Sequence, residues 1–63
     1  MPTYDKNQLV YLIEYGYVKA VADWDPGTDG YKYVFWIGGE EKVVKGQDIM
    51  SIVEAIKAGY IKQ

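Results

Sequence analysis

Few side chains in this sequence could do covalent chemistry. Ser51, Thr3, Thr28, the lysines and the tyrosines are the available nucleophiles. There is no histidine and no cysteine, so neither a Ser-His-Asp nor a Cys-His system can assemble within one chain. The same absences remove a disulfide staple and zinc held by its usual ligands. Paired carboxylates remain for acid–base work. Glu40 and Glu41 are adjacent, with Gly38-Gly39 before them and Lys42 after. That setting is a solvated turn, with nothing to dry the pair and split two pKa values. Ser51 lies three residues after Asp48, where first-turn capping is the simpler role.

The run Asp23-Trp24-Asp25-Pro26-Gly27-Thr28-Asp29-Gly30 alternates three carboxylates with turn residues, as a calcium loop does. The match then breaks. Gly27 stands where a third Asp or Asn is preferred, Thr28 where the sharp-turn glycine belongs, and Val34 where the closing glutamate belongs. A hairpin turn is the default for this run. No phosphate cradle is present either, because Gly38-Gly39 runs into two glutamates. The expectation is a protein that is not an enzyme, with no catalytic residue, no metal and no cofactor.

The elements that position these residues follow from size and periodicity. A chain of 63 residues is read as a single domain over 1–63. At this size only about 60% of the unfolded surface is buried. Net stability is then roughly 3–9 kcal/mol, from about 0.05–0.15 kcal/mol per residue. Aromatic residues make up 16% of the chain, more rings than so small a core can cover. The net charge of −2 is mild and speaks against non-specific nucleic-acid binding. No apolar run approaches a membrane span and no signal-peptide pattern opens the chain, so a cytoplasmic protein away from membranes is expected.

The clearest period lies near the end. Ile49, Ile52, Val53 and Ile56 fall at i, i+3, i+4 and i+7, predicting a helix with Asp48 as N-cap and Gly59 as its stop. An earlier segment echoes it. Asp5 and Gln8 suit a capping box, Leu9, Leu12 and Ile13 share a face, and Gly16-Tyr17 repeats Gly59-Tyr60. This predicts a first helix. A strand over the Val-, Ile- and Tyr-rich run Leu9 to Tyr15 is the competing reading. Between them, strands are predicted at 17–24, 31–37 and 42–45, joined by the turns at 25–30 and 38–41. The predicted fold is α+β in the order α-β-β-β-α: a three-stranded antiparallel sheet with two helices packed on one face.

The other sheet face would then be open. With Val18, Ala20, Ala22 and Trp24 inward, and Tyr33, Phe35 and Ile37 inward, the open face gathers Tyr17, Lys19, Val21, Asp23, Val34 and Trp36. Val43 or Val44 would join from the edge. Exposed Trp and Tyr usually mark a contact surface. A one-residue bulge would reverse the phase and make Trp36 core, and a second copy of the chain could equally cover the patch.

The α-β-β-β-α order resembles that of double-stranded-RNA-binding domains. That family places a basic cluster at the start of its last helix, where this chain has Gly46, Gln47, Asp48 and Met50, so the likeness carries topology and not function. The same order, with Asp29-Gly30 before a strand and Ser51-Ile52-Val53-Glu54 before Gly59-Tyr60, is similar to small phage-encoded inhibitors of the anti-CRISPR type. That resemblance implies a protein that occupies another protein's surface, with Asp23, Asp25, Asp29, Glu40 and Glu41 meeting a basic groove. The reading is a non-enzymatic protein-binding module anchored by Trp36, Val34 and Tyr17. The alternatives are stacking on nucleic acid by Trp36 and Tyr17 beside Lys19, Lys32 and Lys42, or a structural homodimer.

Overall fold

The computed structural model describes residues 2–62. The chain is α+β, with two three-stranded antiparallel sheets and one α-helix where one sheet and two helices were predicted. Its strands are β1 (Leu9–Leu12), β2 (Tyr17–Ala20), β3 (Asp23–Gly27), β4 (Gly30–Ile37), β5 (Glu40–Lys45) and β6 (Ile49–Ser51), followed by α1 (Ile52–Ala58). The sheets have the orders β2-β1-β6 and β3-β4-β5.

The second sheet is a three-stranded antiparallel meander, but its first strand is β3 over Asp23–Gly27, which the sequence placed mostly in the turn 25–30, while most of the strand predicted at 17–24 is β2 of the other sheet. β4 alternates as its sequence demands, with Tyr33 and Phe35 buried and Lys32 and Trp36 exposed. Gly38 and Gly39 link β4 to β5 with φ of 60° and 79°. Two successive positive φ values make the tight hairpin whose twist matches the strands, and only glycine takes both without strain. Pro26 sits in β3, an edge strand, where its missing N–H costs no ladder bond.

The predicted first helix is β1 instead. Val10 and Leu12 are fully buried and Tyr11 is 7% exposed, so this strand is covered on both faces. A short run that is apolar on both faces satisfies helical and strand periods alike. Pairing decides the matter: β1 is the central strand, bonded to β2 and to β6. The local signals read as caps are real but make single turns. Gln8 Oε1 accepts from the Asp5 N–H at 2.9 Å, yet Asn7 at φ 69° turns the chain into the strand. The N–H of Gly16 donates to the Leu12 carbonyl at 2.8 Å, closing one turn between β1 and β2.

The last helix starts later than its period implies. Ile49 pairs with Leu12 in β6 and enters the core, while Asp48 ends a turn of 3-10 helix over Gly46–Asp48. Ser51 is the N-cap, its Oγ accepting from the Glu54 N–H at 3.1 Å. Gly59 closes the helix at φ 88° as the sequence indicates.

The two sheets share one core. Val10, Leu12 and Ile49 come from the first, Tyr33, Phe35 and Val44 from the second, and Val21 from the corner between them. At that corner one continuous chain changes sheets. Val21 bonds to Gln8 and Asn7, while the next N–H, of Ala22, donates to Val34. α1 packs on β1 and β6, on the outer side of the first sheet. Ala55 is buried there, and the Tyr60 and Tyr11 rings lie 5.3 Å apart.

Candidate contact surface

Among the described residues the outer side of β3-β4-β5 has no such cover. Strand register places its residues in rows. Trp36 lies opposite Glu41, Asp23 and Val43 flank Val34, and Asp25 and Lys45 flank Lys32. Trp36 is 58% exposed and Val43 59%, with Val34 half-buried between them. Residues two apart on one strand share a face, and diagonal neighbours across strands lie within reach of an aromatic ring. Trp36, Val34 and Val43 therefore make one apolar strip, with the carboxylates of Asp23 and Glu41 beside it.

Lys32 and Lys45 oppose each other at one end of this face, and Glu41 stands beside Trp36 at the other. At the lysine end Asp25 also lies opposite Lys32, on the side away from Lys45. Among the described residues only two ion pairs form, Lys6 with Asp23 at 3.3 Å and Lys42 with Glu40 at 3.8 Å. Lys32, Lys45 and Glu41 have no oppositely charged group within 4 Å there. Asp23 is held below the usual carboxylate range, first by the Trp24 N–H and then by Lys6.

The predicted site thus divides. Trp36, Val34 and Asp23 share the outer face as expected, and Asp25 and Glu41, predicted in the turns at 25–30 and 38–41, lie on that same face in β3 and β5. Val21 does not; it is a fully buried core residue. Tyr17 and Lys19 belong to β2, opposite Leu12 and Val10 on the core-facing side of the other sheet. The reason is the corner at Val21 and Ala22. The chain changes sheets there, so the alternation of β2 is out of phase with that of β3, and Val18 and Ala20 face outward instead of inward. Tyr17 remains exposed, beside Tyr15. Asp29 lies in the β3–β4 turn, and Glu40 starts β5 opposite Ile37. Val43 was one of two candidates at its edge, and its parity with Val34 settles the choice. Lys45 was missed, although the same parity marks it.

Two other surfaces frame this one. On the outer side of the first sheet Leu9 and Val18 stay exposed, as do Val53 of α1 and Tyr60 after it. At one end of the core a cleft of about 630 Å³ opens between residues 3–4, the β3–β4 turn and the 3-10 turn. Tyr33 closes its floor, its hydroxyl accepting from the Thr3 N–H at 3.0 Å and the Tyr4 N–H at 3.4 Å. Tyr4 donates to the Ile49 carbonyl at 3.4 Å, and burial, with Glu54 and Tyr33 nearby, pushes its phenol above the ordinary tyrosine range. Among the described residues no three Asp or Glu side chains gather as a metal site requires, and no helix is long and apolar enough to cross a membrane. Comparison with protein-family models, with curated proteins and with solved structures finds no match to this chain.

Proposed function

We propose that this chain is a non-enzymatic protein-binding module that meets its partner with the outer face of β3-β4-β5. One observation carries the reading: Trp36 stands 58% exposed in the same strip as Val43, on a sheet face that none of the described residues covers. Exposed indoles flanked by aliphatic side chains are the anchors that most often dominate binding energy. An inhibitor occupying a host protein's surface is one form such a module takes. Asp23, Asp25 and Glu41 would then steer the encounter toward a basic patch. The α-β-β-β-α order behind the two resemblances is not the order of this fold, so they add nothing to the proposal.

The experiment is affinity capture with wild type and Trp36→Ala side by side. The variant should lose about 2 kcal/mol or more, near thirtyfold in affinity, while keeping its melting temperature. Equal capture by both proteins rejects this face as the contact surface. Lys32 and Lys45 on the face of Trp36 also favour a second reading, base stacking on single-stranded nucleic acid. Tyr17, Lys19 and Lys42 do not join them, and three carboxylates share the face. Affinity falling steeply with salt would select that reading.

A further inference from the structure

We infer that the partner of this face is a second copy of the same chain. The inference rests on the contact surface proposed above and names its occupant. Consider a twofold axis lying between two such faces and running across the strands along the row of Val34 and Val43. It sets each strand over its own counterpart in antiparallel sense, as aligned sheets pack. Rows on either side of the axis exchange. Trp36 of one copy then lies over Lys32 of the other, an indole against an ammonium. Glu41 lies over Lys45. Val34 meets Val34 and Val43 meets Val43 at the centre. Each charge pair occurs twice by symmetry.

Two features make this arrangement specific. Glu41, Lys32 and Lys45 have no ion partner within the described chain, so their charges are available across the interface. Lys32 and Lys45 repel as like charges directly opposite on a sheet, and Asp25 lies opposite Lys32 alone, which leaves Lys45 the less compensated of the two. The one like-charge contact that symmetry imposes is Asp23 over Asp23. It falls at the edge strand, where Lys6 already holds that carboxylate at 3.3 Å. Asp25 meets no residue of β3, because that strand begins at Asp23. The face spans roughly 14 Å by about 17 Å. That is small beside the about 800 Å² a side of a stable interface, so the dimer is a weak and reversible one.

Sedimentation equilibrium across the micromolar-to-millimolar range tests the inference. The apparent mass should rise from 7.2 kDa toward twice that value. Glu41→Lys alone and Lys45→Glu alone should each abolish the rise, because each places like charges face to face. The double variant E41K/K45E should restore it, an outcome a merely damaged fold does not produce. A wild type that stays at 7.2 kDa throughout overturns the dimer. If Trp36→Ala still weakens capture of another protein in that case, the contact surface survives and only its occupant was wrong. A dimer indifferent to Trp36→Ala and to every charge reversal uses a different face and overturns this inference, and the contact surface then stands or falls on the capture experiment alone.

Discussion

The central strands of the two sheets make the same kind of element and are finished differently. β1 and β4 each send alternate side chains into the shared core and the rest outward. The outward aromatic of β1, Tyr11, lies under α1 and Tyr60 and is 7% exposed; that of β4, Trp36, is 58% exposed. The chain thus supplies one helical cover for two sheets. The difference separates residues that hold the fold from residues free to be recognised, although both sets are aromatic and aliphatic. Composition alone cannot make that separation; it depends on which face has a lid.

The sharpest way to break this comparison uses two consecutive residues of β4. Phe35 is fully buried among Val10, Leu12 and Tyr33. Phe35→Ala should cost about 3–5 kcal/mol, from lost transfer energy and the cavity left behind. That approaches the whole stability of a domain this small, roughly 3–9 kcal/mol. Trp36→Ala, one position on, should cost less than about 1 kcal/mol in dilute solution. Denaturant melts of the two variants measure the contrast. Equal losses would mean that the outer face of β4 is covered within a single chain.

A smaller effect sharpens the other side of the comparison, the lid itself. Ser51→Ala should cost about 1 kcal/mol by removing the Oγ that accepts from Glu54. Asp48→Ala should cost clearly less, because Asp48 precedes β6 and caps no α-helix. Thermal melts of both variants decide between these helix starts, and a larger loss at Asp48 would restore the longer helix read from the sequence.

That pair of residues shows what the sequence made legible and what it hid. β4, the Gly38-Gly39 hairpin and the Gly59 stop were readable, because each has a local cause: clean alternation, two positive φ values, a left-handed cap. The exposure of Trp36 followed from the same alternation. β1 and β6 were hidden because their apolar residues serve partners distant in the chain. Val10 and Leu12 fit a helix until β2 and β6 pair with β1, and Ile49 continues the helical period while lying in a strand. The phase of β2 was hidden by the change of sheets at Val21, which no local signal announces. One misplaced corner moved Tyr17, Lys19 and Val21 onto a face they do not share with Trp36.

An alkaline titration probes Tyr4, which packs against the core beside Tyr33. Tyr4 has its phenol pushed above the ordinary range, mainly by burial. The folded state therefore holds this proton more tightly than the unfolded chain does. The associated stability is complete below the ordinary tyrosine range and is lost as pH rises through the higher folded value. Tyr4→Phe should remove that part of the alkaline loss, seen as a flatter dependence of melting temperature on pH.

The smallest effect concerns Asp23, on the rim of the bare sheet. Its carboxyl is held low, so the sign is opposite: the stabilisation is present above the ordinary carboxylate range and is lost as pH falls through the folded value. Two partners share the cause. The Trp24 N–H, at 2.8 Å, contributes most, and the Lys6 ammonium at 3.3 Å adds to it. Both groups face solvent, so salt should weaken the Lys6 part and leave the backbone bond nearly untouched. Lys6→Ala should therefore raise the Asp23 titration midpoint only part of the way to its ordinary value. NMR titration of the Asp23 carboxyl at low and high salt reads this directly. A full return to the ordinary value on losing Lys6 would assign the shift to the ion pair and leave the Trp24 bond without the larger share.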